Sequence, residues 1–181
     1  LSAFYFDIRK DVLYCDPLNS KKRKSTLTLL NIILNSLLKW FAPILAFTTE
    51  EIYQLISKKN KSIHLEKFIN FPKKFENSEL NIRWKEILKI RDICNLSIEE
   101  KRANKVIGSS LEADLDIKLN SKLLELTKDI DFAELCITSK SIVKESNKDE
   151  VIVETRKANG TKCSICWKIK TEACERAICQ I

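Results

Sequence analysis

The seven cysteines are the residues of this sequence with the clearest capacity for chemistry. Their number is odd and their placement is uneven, which is not typical of the disulfide framework of a secreted protein. We therefore predict reduced thiols in a cytosolic protein, with a candidate metal site where the cysteines crowd together. Scattered along the chain are Cys15, Cys94 and Cys136, and crowded at its end are Cys163, Cys166, Cys174 and Cys179.

Cys163 and Cys166 have the spacing of a C-x-x-C turn. Such a turn lets two thiolates bind one Zn²⁺ at about 2.3 Å each, while nearby backbone N–H groups stabilise the negative sulfurs. Two ligands alone do not make a structural zinc site, so this spacing leaves the other ligands open. Redox chemistry at the pair is disfavoured, because no thioredoxin-like βαβ pattern surrounds it.

Basic residues are the second group that could bind a ligand. The chain carries 32 Lys and Arg against 25 Asp and Glu, a formal charge of +7. This balance favours an anionic partner that is bound through phosphate contacts, although the same charge could serve solubility alone. The densest basic cluster, Lys21-Lys22-Arg23-Lys24, is correspondingly either a phosphate-binding patch or a solvated linker.

The elements that position these residues are helical in the first hundred residues. Two glycines and three prolines favour long helices, and apolar residues recur at spacings of three and four. The predicted helices run from Leu1 to about Asp16, from about Thr26 to Phe41, from about Thr48, and from about Leu80 to a stop before Gly108. For the third helix, Thr48 and Glu51 predict a capping box.

The apolar stretch 27–47 is interrupted by polar residues and Pro43, which predicts a buried helix pair and no membrane span. The start of the chain shows no signal-peptide pattern.

Beyond Gly108 the apolar period becomes alternating. This predicts a strand at residues 113–119, a short helix at 121–130, and strands near 134–138 and 151–154, before a turn at Asn159-Gly160. The predicted fold is mainly α: a helical bundle at 1–107, a small α/β unit at 108–158 and a Cys-rich tail at 159–181.

Several stretches resemble isoleucyl-tRNA synthetases, in the order in which that family has them. The resemblance covers nearly the whole chain and is most specific in its fourth stretch. The stretches are Leu1-Ser-Ala-Phe-Tyr-Phe-Asp-Ile-Arg-Lys-Asp-Val-Leu-Tyr-Cys-Asp16; Phe41-Ala-Pro-Ile-Leu-Ala-Phe-Thr-Thr-Glu-Glu-Ile-Tyr53; His64-Leu65 with Phe71-Pro72, Trp84 and Arg91; Lys105-Val-Ile-Gly-Ser-Ser-Leu-Glu-Ala113; and Cys163-Ser-Ile-Cys-Trp167.

The resemblance implies an anticodon-binding bundle from a cytoplasmic, monomeric ligase that joins isoleucine to its tRNA with ATP and Mg²⁺. Neither of the family's ATP-site motifs is present, so no catalytic residue is predicted here. The implied partner is isoleucine tRNA, with the catalytic and editing domains in a preceding part of the enzyme and no membrane involved. Candidate tRNA-binding residues are Arg9, Lys10, Lys21, Lys22, Arg23, Lys24, Arg83, Arg91 and Trp167.

The same resemblance implies a C-terminal zinc knuckle whose first half is Cys163 and Cys166. Cys174 and Cys179 are the candidates for its second half, although they are separated by four residues where the family has two. Three outcomes stay open: zinc bound by all four cysteines, zinc bound by three cysteines and another ligand, and a metal-free tail.

Two alternative functions stay open as well. A valyl- or leucyl-tRNA synthetase would share the bundle, but the Cys-rich tail and Lys105–Ala113 favour the isoleucine enzyme. A free-standing helical interaction domain with a zinc tail would be expected to begin with its own Met, and this chain has none.

Overall fold

The computed structural model describes residues 2–57 and 61–171. The chain divides into two compact units, one formed by Leu1–Pro17 with Asn77–Ile181 and the other by Leu18–Glu76. The divisions between these units, after Pro17 and after Glu76, differ from the boundary predicted near residue 108. The first and last helices of the predicted bundle share a core with the sheet that follows them, whereas the helices between form a core of their own.

The first unit is built on a three-stranded sheet of order β2-β1-β3, with β1 at Ala113–Leu119, β2 at Lys140–Glu145 and β3 at Ile152–Lys157. β1 runs parallel to β2 and antiparallel to β3. Strand β1 was predicted from its alternation, and its four apolar residues are all buried. Because β1 is central, its backbone groups pair on both sides and its apolar face meets a helix.

That helix is α4, Ser78–Ala103. The same unit also contains a π-helical turn at Ser2–Phe6 and helix α1 at Asp7–Cys15. α4 buries Ile87, Ile90, Cys94 and Ile98, spaced by three and four residues, in the core that contains β1. Burying one such side chain fully contributes roughly 1.5–3 kcal/mol. This stripe holds the long helix in place on the sheet.

Two short helices connect β1 to the parallel strand β2: α5, Ser121–Thr127, and α6, Phe132–Leu135. The predicted strand near 134–138 is therefore wrong. The Asp131 carboxylate accepts hydrogen bonds from the N–H groups of Ala133 and Glu134 and so begins a helical turn there. The strand lies later, at Lys140–Glu145.

A small hairpin follows the sheet, with β4 at Thr161–Lys162 and β5 at Ile169–Lys170. Gly160 precedes it with φ at +135°, and a Cβ at this position would lie 2.1 Å from the Lys170 carbonyl oxygen. Only glycine fits this close approach, which agrees with the predicted turn at Asn159-Gly160.

The second unit contains helices α2, Lys21–Phe41, and α3, Ala46–Ile56, with 3₁₀ turns at Ile63–Leu65 and Lys73–Phe75. Its core consists of Leu38, Ala42, Tyr53 and Ile63. The Glu50 carboxylate accepts hydrogen bonds from the Ser62 hydroxyl at 2.9 Å and from the Ile63 N–H at 2.8 Å. These bonds attach the first 3₁₀ turn to α3.

One predicted helix start and one predicted cap in this unit are wrong, although α3 does begin close to the predicted Thr48. α2 begins five residues before the predicted Thr26, because the Ser20 hydroxyl oxygen caps it and brings Lys21–Lys24 into its first turn. α3 begins at Ala46 without a side-chain cap. The capping box at Thr48 and Glu51 therefore does not form.

Helices predominate over the small sheet, so the fold is mainly α, as predicted. Within residues 2–57 and 61–171, no helix is both long and apolar enough to cross a membrane.

Candidate nucleic-acid interface

The basic turn, residues Lys21–Lys24, begins helix α2. The Ser20 hydroxyl oxygen accepts the Arg23 N–H at 3.3 Å, and this cap fixes where the helix starts. The turn contains four cations and no acidic residue, and the side chains of Lys21, Lys22 and Lys24 are exposed. A helix N-terminus carries partial positive charge and favours anions. The basic side chains of this turn are repelled by the positive end of the helix dipole and by one another. A bound phosphate would relieve that repulsion.

Arg9 and Arg91, two further candidates, contact other parts of the first unit. Arg9 Nη1 lies 2.7 Å from a carboxylate oxygen of Glu134. Arg91 Nε donates to the Leu135 carbonyl oxygen at 3.1 Å, and its guanidinium lies 5.1 Å from the centre of the Phe4 ring. Both guanidiniums therefore help to hold α6 in place, and their predicted contact with RNA stays a prediction.

Arg83 and Lys10 are also paired within the chain. Arg83 Nε donates to the Leu126 carbonyl oxygen at 2.9 Å, and its guanidinium pairs with Asp129. This hydrogen bond lowers the pKa of the Asp129 carboxyl group. Lys10 pairs with Asp7 across one helical turn at 2.6 Å, and the hydrogen bond to that carboxylate raises the pKa of Lys10.

Trp167 lies in the C-x-x-C loop between β4 and β5. Its backbone is left-handed, with φ at +60°, and its side chain is 59% exposed. The Lys162 ammonium lies 5.5 Å from the centre of its ring. A cation beside an exposed aromatic ring can hold a phosphate and a stacked base together.

The side chains of Cys163 and Cys166 belong to this loop, and both are buried. Cys15, at the end of α1, belongs to the same buried cluster. Lys168 pairs with Asp11 at 3.3 Å and so attaches the loop to α1 a second time. Burial raises the pKa of Cys166, which keeps its thiol protonated unless a metal replaces the proton.

Cys174 and Cys179 lie outside the described residues. Among the residues that are described, no group of three or more His, Cys, Asp or Glu side chains is arranged to hold a metal ion. Of the four predicted metal ligands, the structure therefore describes Cys163 and Cys166.

A further cleft, which the sequence prediction did not include, lies where α4 ends. It has a volume of about 500 Å³ and is lined by α4, the turn that follows it, and the end of β3. Three cations line it: Arg102, Lys105 and Lys157. The Lys105–Ala113 stretch was singled out only for its resemblance to a family, and nothing in its residue types marked a cleft.

Known proteins share sequence with this chain over most of its length. Residues 1–119 match the family described as the anticodon-binding domain of tRNA ligase. The isoleucine–tRNA ligase of Pelagibacter ubique is 62% identical over 176 residues, which is 97% of this chain and 19% of that protein.

Two further isoleucine–tRNA ligases are more distant. That of Bartonella henselae is 42% identical over 93% of the chain, and that of Agrobacterium fabrum is 40% identical over 95%. The chain spans about a fifth of the length of these relatives, since it covers 18–19% of each.

Proposed function

Because the chain belongs to the family of anticodon-binding domains of tRNA ligases, we propose that it recognises the anticodon stem-loop of isoleucine tRNA. The observation that carries the proposal is the basic turn, which lies inside the segment that matches this family. RNA loops present unstacked bases and a dense row of phosphates, and proteins bind them with cations and flat side chains.

We propose further that the chain is a segment of a complete isoleucine–tRNA ligase, as its relatives are. In it, this segment selects the tRNA, while ATP- and Mg²⁺-dependent joining of isoleucine takes place in residues outside this chain. On this proposal the chain alone does not aminoacylate tRNA. The enzyme acts in the cytoplasm as a monomer.

Zinc forms the remaining part of the proposal. Cys163 and Cys166 would hold it with Cys174 and Cys179, and the described pair fits because its two thiols are buried in one cluster. Zinc would supply structural stability to a segment with little apolar area of its own. Cys15, packed against the pair, would shield the site from water on the side of α1.

The tRNA proposal is tested by fluorescence anisotropy with a labelled anticodon stem-loop of isoleucine tRNA. The comparison RNA is a stem-loop of equal length from an unrelated tRNA, at moderate salt. We expect tighter binding of the isoleucine stem-loop, because base contacts add to the phosphate contacts that both RNAs offer. Equal affinity for the two RNAs would remove the claim of specificity.

The zinc proposal is tested by elemental analysis of protein that has never met a chelator. We expect near-stoichiometric zinc, and thiols that react in denaturant only after a chelator is added. Cys163→Ser should abolish zinc binding, whereas Ser164→Ala, an exposed change in the same loop, should keep it. Absence of metal from the unmodified protein would contradict the proposal and identify a metal-free tail.

A further inference from the structure

The turn that ends helix α4 has an unusual residue at its tightest point. The Lys105 N–H donates to the Arg102 carbonyl oxygen at 2.9 Å, and the Val106 N–H donates to the Lys101 carbonyl oxygen at 3.0 Å. This is the Schellman pattern, in which the residue after the cap is left-handed and is usually glycine. Here it is Lys105, with φ at +56°. The fold accepts a strained lysine where glycine would fit without strain.

The strained lysine lies on the rim of the cleft of about 500 Å³ described above. Lys157, the last residue of β3, lies on the rim with it, and both side chains are exposed. Val106 and Ile107 also line the cleft and supply apolar surface, Val106 exposed and Ile107 buried. The cleft therefore combines two exposed ammonium groups with some apolar surface.

The guanidinium of Arg102, the third cation of the cleft, is oriented by an ion pair. Its guanidinium pairs with the Glu99 carboxylate at 2.7 Å, one helical turn earlier, and the Arg102 side chain is still 47% exposed. A guanidinium held in this way offers a flat face, and unstacked RNA bases stack on such faces.

Glu112 also lines the cleft, and it connects the turn after α4 to the end of β3. Its carboxylate accepts the Gly108 N–H at 2.9 Å, and its carbonyl oxygen accepts the Ala158 N–H at 2.8 Å. One carboxylate oxygen is used by Gly108. A carboxylate at this position can accept a hydrogen bond from the exocyclic amino group of a base.

We propose that this cleft binds one unstacked nucleotide of the RNA, with its phosphate held by Lys105 and Lys157 and its base lying between Arg102 and Glu112. The inference rests on the proposed function, because the nucleotide belongs to the tRNA that the chain is proposed to recognise. It adds a site at the end of α4, whose residues were not among the candidates predicted from the sequence. Phosphate contacts hold the nucleotide, and the carboxylate distinguishes bases with an amino group from those without one.

Lys105→Gly separates binding from folding. Glycine relieves the left-handed strain, so we expect the urea midpoint of unfolding to stay equal or rise. The same change removes one phosphate contact. We expect affinity for the isoleucine stem-loop to fall by roughly 3- to 10-fold and the slope of log K against log salt to decrease by about 0.7.

Lys157→Gln is the second variant, on an exposed side chain of another element, and it should produce the same two changes in RNA binding. Lys148→Gln is the matched control, because it removes an equal charge from an exposed loop outside the cleft. Its effect on the salt slope should be much smaller. Free AMP, titrated in place of the stem-loop, tests whether a nucleotide outside RNA uses the cleft.

The outcomes separate the inference from the proposed function. If the unmodified chain prefers the isoleucine stem-loop, while both cleft variants bind it like Lys148→Gln, the cleft inference is overturned and the proposed function stands. Tight binding of free AMP that Lys105→Gly abolishes would also overturn it, in favour of a free-nucleotide site. If the unmodified chain binds neither stem-loop, the proposed function fails and the inference fails with it.

Discussion

The guanidinium of Arg9 and the carboxylate of Glu134 lie 2.7 Å apart, although 125 residues separate them in the sequence. Both side chains are largely shielded, with 30% and 15% of their surfaces exposed. The pair joins α1 to α6. Its neighbour Lys10 also has an acidic partner, Asp7, but that pair lies on one helix and is more exposed.

Arg9→Gln and Lys10→Gln should therefore differ in their effect on stability. We expect Arg9→Gln to lower the free energy of unfolding by about 1 kcal/mol, because it leaves the Glu134 carboxylate without this cation. Lys10→Gln should change it much less, because exposed ion pairs within one helix contribute little to stability. Urea denaturation followed by circular dichroism measures both. Equal losses would mean that the Arg9 pair contributes no more than a surface pair.

The two glycines of the chain offer a second contrast. Gly160→Ala should destabilise the β4–β5 hairpin by roughly 1–3 kcal/mol, because its Cβ would meet the Lys170 carbonyl oxygen at 2.1 Å and its φ of +135° suits only glycine. The measurement is hydrogen exchange at the amides of Cys163 and Trp167, which donate to the carbonyl oxygens of Lys168 and Cys163 and should exchange faster.

Gly108→Ala is the control for this change. Its Cβ would lie 3.4 Å from a carboxylate oxygen of Glu112, an ordinary contact, so stability should change by less than about 0.5 kcal/mol. Unchanged hydrogen exchange in Gly160→Ala would show that the hairpin can move to make room.

The elements that the sequence predicted best are those in which burial follows a clear period. β1 alternates and is buried on its apolar face, and α4 carries a buried stripe, so both were found. β2 was not found, because its two apolar residues, Ile142 and Val143, are adjacent in the sequence and none of its side chains is fully buried. Two adjacent apolar residues do not give the alternation by which a half-buried strand is recognised.

The candidate site was predictable only in part, for a different physical reason. The basic turn is contiguous in the sequence and could be identified there. The contact of Cys15 with the C-x-x-C pair and the meeting of Lys105 with Lys157 both depend on long-range packing. The left-handed backbone of Lys105 was also hidden, because residue-based rules place glycine at such a position.

The pH dependence of stability should reveal the role of Glu50. Its pKa is lowered by hydrogen bonds, first from the Gln54 amide and then from the Ile63 N–H. A carboxyl group with a lower pKa in the folded state stabilises the fold above its unfolded pKa, and this contribution is lost as pH falls through the folded value. As the pH decreases below about 4.5, we expect the thermal midpoint of unfolding to fall. It should fall less in Glu50→Gln than in the unmodified chain.

Glu51→Gln is the matched control, since it removes the neighbouring carboxylate, which is exposed. Its pH profile should be parallel to that of the unmodified chain. If Glu50→Gln were also parallel between pH 3 and 7, the attachment of Ile63 to α3 would not depend on the charge of Glu50.

Removing lysines from the two ends of helix α2 should change stability in opposite directions. Replacing Lys21 and Lys24 by Gln removes two cations from the positive end of the helix dipole, so we expect stability to rise by about 0.5 kcal/mol. The same change should weaken binding of the isoleucine stem-loop and lower the salt slope by about 1.4, if both lysines contact phosphate. A gain in stability together with a loss of affinity is expected where the fold keeps unfavourable charge for a ligand.

Lys39→Gln is the counterpart at the other end. Lys39 lies in the last turn of α2, where a cation is favourable, and it pairs with Glu66 at 3.2 Å. This change should lower stability, with little effect on RNA binding. Urea midpoints and salt titrations of the two variants test both signs together. If the Lys21 and Lys24 variant lost stability and kept its affinity, the basic turn would be a structural feature of α2, and the tRNA contacts would have to lie elsewhere on the chain.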